Sequence, residues 1–302
     1  MNKKLIFYTV ALTAGLLTAC SSDDEQKQEP PVRHISVEVS ERPMAEEGTA
    51  EGRSLTTRAA ITTTETLGDF TMKGVYDGVG SPKNYSVEKS TGTGQWTVKP
   101  DSWPSELDNN TKVQFYAYTN GAFGSSNGTP FIDFTVAENA STQHDLLVAK
   151  NSVAYSDHDG KVPLTFDHAC AALAFNVFMS NTLSTNLAGK TLTVSSIILR
   201  NVSNTGKYYF ESSSWSDVSG SAYYTLNNSS MVITTTPLAL SSNHLFMIPQ
   251  ERAANGTDGT YLEISYTFSG QEGSTAIIPL TVNWEKSTQY TINIKLGTTL
   301  IK

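Results

Sequence analysis

The sequence predicts an all-β protein built from β-sandwiches, and three observations carry that expectation. Apolar residues recur at every second position along most of the chain, which puts successive side chains on opposite faces of a strand. These runs are separated by Asn-Gly, Asp-Gly and Ser-Gly pairs, the turn chemistry of hairpins. The polar residues are mostly Ser, Thr and Asn, and 13 Tyr and 12 Phe enrich the strand-forming set. With 302 residues, 38% of them hydrophobic, the chain has material for a real core and room for two domains. A net charge of −8 argues against nucleic acid as a partner, since phosphate binding needs clustered Lys and Arg. Two cysteines are too few for a disulfide framework or a Cys-based zinc site.

The first 20 residues read as an export signal. Lys3 and Lys4 precede an apolar run from Leu5 to Ala19, too short for a membrane span. Leu17-Thr18-Ala19-Cys20 resembles a bacterial lipobox, which makes Cys20 the predicted lipidation site. Acyl chains there anchor a precursor to a membrane surface. Ser21-Ser22-Asp23-Asp24-Glu25 then resembles the acidic tag of some outer-membrane surface lipoproteins, and reads equally as a solvated tether. Residues 21–34 are linker-like, with Pro30-Pro31. Ile35, Val37 and Val39 fall on one face of a short half-buried strand. Residues 41–58 are expected to be polar and flexible, and they hold Arg42, Arg53 and Arg58.

From residue 61 onward strands dominate. Val113, Phe115 and Ala117 alternate with Gln114, Tyr116 and Tyr118. Ile132–Val136, Leu146–Ala149 and Val162–Phe166 are short apolar runs. The same alternation marks Leu173–Met179, Leu262–Phe268 and Tyr290–Leu296. The polar stretch Asn151–Lys161 is the expected boundary, which divides the chain into domains at 59–160 and 161–302 behind a signal (1–20) and an N-terminal segment (21–58).

Few motifs suggest catalysis. Gly124-Ser125-Ser126-Asn127-Gly128 matches G-x-S-x-G, but Thr129-Pro130 and a strand follow where a nucleophile elbow needs a helix. Gly189-Lys190-Thr191 lacks the first glycine of a phosphate-binding loop, because position 184 is Ser184. His144, His158 and His168 lie near Asp145, Asp157, Asp159 and Asp167, without the spacing of a known metal set. They read as turn and strand-end residues. Cys170, in an apolar run, reads as a small core residue. Trp96, Trp103, Trp215 and Trp284 are scattered and read as core or strand residues, with a sugar-stacking platform as the other option. No cofactor or metal is expected.

Several segments together resemble the fimbrillin family, the type V pilus subunits of Gram-negative anaerobes. They are the lipobox Leu17–Cys20, Thr57-Arg58-Ala59, Asp145-Leu146-Leu147-Val148-Ala149, Val162-Pro163-Leu164-Thr165-Phe166-Asp167-His168-Ala169, Met247-Ile248-Pro249-Gln250, and Trp284 followed by Tyr290-Thr291-Ile292-Asn293-Ile294. Their order is closest to the fimbrillin-like (Mfa-like) branch. The resemblance implies two tandem transthyretin-like Greek-key β-sandwich domains. It also implies a lipoprotein precursor of the outer membrane that an Arg-specific protease cleaves, with loss of the lipid and of the first strand. A strand of a neighbouring subunit then fills the groove by β-strand addition. Carried onto this sequence, the released strand holds Ile35, Val37 and Val39. The cut follows Arg58, with Arg53 next and Arg42 a weaker option.

The expected function is therefore a non-enzymatic subunit of a cell-surface fimbria. Its partners are other pilus subunits, the membrane through Cys20, the protease, and a host glycan or protein as a candidate target. Only Gly297–Lys302 follow the Tyr290–Leu296 strand, too short a tail for a stalk subunit's donor segment, which points to a tip or accessory role. The alternative is a surface lipoprotein that keeps its anchor and binds glycans or serves as the pilus anchor.

Overall fold

The computed structural model describes residues 32–46, 67–77, 81–240, 244–269 and 271–298. Almost all of the ordered elements are strands, and they form two hydrophobic cores.

The largest sheet has seven strands. Their order is Ser36–Glu41, Lys161–His168, Leu147–Val153, Val113–Tyr118, Phe70–Val75, Lys83–Lys89 and Trp96–Lys99. Every neighbour pair is antiparallel except the first. Period-two burial assigns its two faces to different cores. Phe115, Ala117, Leu147 and Ala149 enter one core with Phe70, Met72, Tyr85, Val162, Leu164 and Phe166. Tyr116, Tyr118, Leu146 and Val148 enter the other. The sheet is therefore apolar on both faces along its middle strands.

The remaining strands surround the second core. Ala171–Met179 pairs in parallel with Thr288–Leu296, which pairs in parallel with Ala45–Glu46. Leu192–Val202 lies between Ala222–Asn227 and Tyr261–Phe268. Thr129–Thr135 lies between Ala122–Ser126 and Thr205–Tyr209. The G-x-S-x-G stretch is the turn of that last hairpin, where Asn127 and Gly128 take φ of 51° and 80°. Two left-handed residues are what a tight two-residue hairpin turn requires.

The architecture departs from the expected organisation in two places. The division at 160/161 separates Leu147–Val153 from Lys161–His168, which the structure pairs directly. It also separates Thr129–Thr135 from its partner Thr205–Tyr209. From Ala169 onward the buried apolar residues belong to the second cluster, whereas before it the chain contributes to both: Val162, Leu164 and Phe166 to the first, Ile132, Phe134 and Val136 to the second. The second departure is in the stretch expected to be flexible. Residues 42–46 of it are extended and paired. The Arg42 amide donates to the Phe166 carbonyl at 2.9 Å and the Ala45 amide to the Ser287 carbonyl at 2.8 Å. Met44 between them is buried. A polar composition concealed the buried side chain of Met44 within the segment.

Candidate functional site

The strand that holds Ile35, Val37 and Val39 closes the first sheet. Ser36–Glu41 runs parallel to Lys161–His168, in register from Ser36↔Lys161 to Glu41↔Phe166. On its other side the chain reaches the opposite end of the same sheet. His34 forms a bridge with Ser102, the Ile35 amide donates to the Asp101 carbonyl at 3.0 Å, and the Trp103 amide donates to the Arg33 carbonyl at 2.8 Å. The segment is thus a seam between the first and last parts of a curled sheet. Without it, the Lys161–His168 edge loses a row of backbone partners, and the Asp101 carbonyl and Trp103 amide lose theirs.

Alternation explains why the strand sits this way round. Ile35 is buried, and Val37 and Val39 pack against the first core. Ser36, Glu38 and Ser40 face solvent, where the Ser40 hydroxyl meets that of Thr165 at 3.0 Å. The ends are held by side chains. Arg33 donates to the carbonyls of Pro104 and Leu107, both at 2.7 Å, and to Asn109 Oδ1 at 2.8 Å. Arg42 donates to both oxygens of Asp167, at 2.8 and 2.9 Å. Gly160, at φ +79°, lies against the backbone of His34 and accepts from the Ser36 amide at 3.1 Å. A Cβ there would run into the His34 carbonyl and the Tyr155 ring. Asp159-Gly160, read from sequence as a turn, is also the close approach that admits the strand.

A buried charged row crosses the inner end of the seam. Val162, Leu164, Phe166 and His168 share one face of their strand, and Ile35, Val37, Val39 and Glu41 share one face of theirs. The fourth member of each series is polar, and the two meet: Glu41 Oε1 lies 2.6 Å from His168 Nε2. His168 Nδ1 meets Asp145 Oδ2, from the loop that leads into Leu147–Val153. The His168 and Asp145 side chains are fully buried, and the Glu41 side chain is 6% exposed. Burial alone would lower the imidazole pKa. The hydrogen bonds and charges of Asp145 and Glu41 outweigh that effect and raise it above the ordinary histidine value. Burial also pushes the Asp145 carboxyl up. His168 and Asp145 therefore each hold a proton more tightly than they would in water. Ser287 completes the junction, its hydroxyl donating to the His168 carbonyl at 2.7 Å.

The other sequence candidates resolve individually. Cys20, Arg53 and Arg58 lie outside the described residues. Arg42 is part of the ladder just described. Among the described residues no group of His, Cys, Asp and Glu is arranged to hold a metal ion. Cys170 is buried, which pushes its thiol pKa well up and makes it a core residue. Trp103 and Trp284 are buried. Trp96 packs on Phe70 at a centroid distance of 5.3 Å, and Trp215 donates its indole N–H to the Ala169 carbonyl at 2.7 Å. The four tryptophans are thus committed to packing, and they do not share an exposed stacking face. Glu41 is the functional candidate the sequence reading missed. Its only signal is that it continues the period-two face of Ile35, Val37 and Val39.

Comparison with known proteins places this geometry in context. The profile of the fimbrillin-like family matches residues 53–302. No curated protein matches the chain. Among solved structures, a fimbrial protein from Bacteroides vulgatus superposes with a TM-score of 0.63 at 19% identity, covering 89% of this chain and 96% of its own. A candidate cell-adhesion protein from Parabacteroides distasonis gives 0.54 at 12% identity, with 88% and 90% covered. Another from Bacteroides ovatus gives 0.52 at 15%, with 89% and 94% covered. At these identities the likeness is one of fold.

Proposed function

This chain belongs to the fimbrillin-like family, and from that premise we propose that it is a cell-surface pilus subunit or adhesin whose N-terminal strand is a removable plug. The role is structural and adhesive rather than catalytic. In the proposed sequence of events Cys20 is lipidated and carries the precursor to the outer membrane. A protease then cuts after Arg58, or after Arg53, and Ser36–Glu41 leaves with the segment before the cut. A strand of a neighbouring subunit takes its place along Lys161–His168.

The observation that supports this reading is the seam itself. Ser36–Glu41 is bonded edge-on in an otherwise antiparallel sheet, more than 100 residues from its partner in sequence. It belongs to no hairpin, so its removal leaves the remaining ladders of the sheet intact. While it is covalently tethered, its high effective concentration blocks any competing strand. After the cut, exchange becomes a bimolecular competition for a long, partly apolar edge.

Limited trypsin digestion of the folded, unlipidated precursor tests the proposal, read by intact mass and then by electron microscopy. The expected result is one early cut after Arg58 or Arg53, release of the N-terminal fragment, and association into ladders or with an added donor subunit. A chain cut there whose fragment never leaves, even with a donor in excess, would overturn it.

A further inference from the structure

We propose that the groove under the N-terminal strand selects donor strands that carry an Asp or Glu where Glu41 stands, so that the incoming carboxylate pairs with Nε2 of His168. This rests on the strand-release reading above and adds a specificity rule to it. The occupant is an extended segment of another pilus subunit, with three alternating apolar residues followed at the same spacing by an acidic one.

The argument starts from what the strand takes away when it leaves. Ile35, Val37 and Val39 leave apolar places that any β-branched or aliphatic side chain refills. Glu41 leaves something more exacting. The His168 side chain is fully buried, and its second ring nitrogen has met Glu41 at 2.6 Å. The first remains on Asp145, which lies beyond the proposed cut and does not leave. The other charged pair at this end, Arg42 with Asp167, loses Arg42. Asp167 neighbours His168 in sequence and points to the opposite face of the strand, so it does not replace Glu41. The imidazole is thus left with one ring nitrogen aimed into the groove.

A donor strand with an apolar residue at this position buries that ring nitrogen unpaired. A Lys or Arg there sets a second cation against it. An Asp or Glu restores the row. Leaving a buried donor to a charged group unsatisfied changes an equilibrium by about tenfold to a hundredfold. Apolar burial supplies affinity for many strands, and the single carboxylate contact separates them. The position is at the groove end nearest the Ala45–Glu46 pairing on Thr288–Leu296, where a one-residue slip also turns the apolar set outward. The same contact therefore fixes register as well as identity.

The test uses the full precursor nicked by trypsin and a fluorescent peptide spanning residues 33–43, with variants E41Q, E41K and E41D. Anisotropy follows entry of the peptide as it displaces the resident fragment. The expected order is Glu and Asp together, Gln weaker by about tenfold to a hundredfold, and Lys weakest. In a precursor carrying His168→Gln the four peptides should fall within about threefold of one another, because a neutral amide has no charge to match. If the parent peptide does not enter the nicked wild-type chain, the strand-release reading itself fails. If it enters and E41Q enters equally well, the carboxylate rule fails while strand release stands. A preference that survives in His168→Gln would remove His168 from the explanation. Should that variant not fold, the peptide series on the wild-type chain decides the proposal alone.

Discussion

Ile35→Ala should loosen the N-terminal strand far more than it loosens the rest of the molecule. Ile35 is 4% exposed and packs in the first core, yet it belongs to a segment whose backbone partners, Asp101 and the Lys161–His168 strand, are all distant in sequence. Truncating a buried Ile to Ala costs about 2–4 kcal/mol at a site that collapses only in part. Local opening of the segment releases this side chain, so the loss falls directly on the opening equilibrium. At about 1.4 kcal/mol per tenfold, the open population should rise by about 30-fold to 1000-fold. Hydrogen exchange reads that population at two amides whose bonds define the seam, Ser36 to the Gly160 carbonyl and Arg42 to the Phe166 carbonyl. Both should accelerate by the stated factor, while amides of Val113–Tyr118 in the sheet interior change much less. Val32→Ala, at a 67% exposed position, should change neither. Equal acceleration throughout the sheet would refute the reasoning, since it would mean that the strand opens only when the whole domain does.

Three further perturbations separate the contributions. The first is pH: His168 has a raised pKa in the folded chain, and a raised group contributes stability that is complete below its unfolded value near 6.5 and lost as pH rises through the folded one. The upward shift of buried Asp145 has the same sign, so intrinsic-rate-corrected protection of Ser36 and Arg42 should fall on the alkaline side, and a flat profile would count against the buried row. The second is Gly160→Ala, which should cost at least about 2 kcal/mol in urea unfolding and displace residues 33–36. Gly128→Ala, at a similar φ with open space around it, should cost only the conformational 1–2 kcal/mol or so. The third is Asp167→Ala, which removes the exposed partner of Arg42 and should change stability by less than about 1 kcal/mol, leaving strand protection nearly unaltered. A larger effect would move the anchor of the strand from its apolar face to its charged end.

The all-β class was legible because alternation is local: Val113–Tyr118, Leu173–Met179 and Tyr290–Leu296 each display two faces within a few residues. Turn pairs such as Asn127-Gly128 and Asp159-Gly160 were legible for the same reason, since a left-handed backbone is a property of the residue that adopts it. The apolar face of Ile35, Val37 and Val39 was equally plain, as was its isolation between polar stretches. A period of two, however, says which face is buried and not against what. That Ser36–Glu41 runs parallel to a strand 125 residues further on, and closes a sheet whose other end is Trp96–Lys99, follows from long-range packing alone. So does the pairing of Thr129–Thr135 with Thr205–Tyr209, which joins segments on either side of residue 160 around the second core. Glu41, His168 and Asp145 carry no spacing signal, because their neighbours in space are 23 and 127 positions apart in sequence. Two adjacent strands and the loop entering a third bring them into one buried row, and low polarity around them strengthens the contact. Local periodicity is written residue by residue, whereas partnership in a sheet depends on which edges remain to be satisfied once the whole chain has folded.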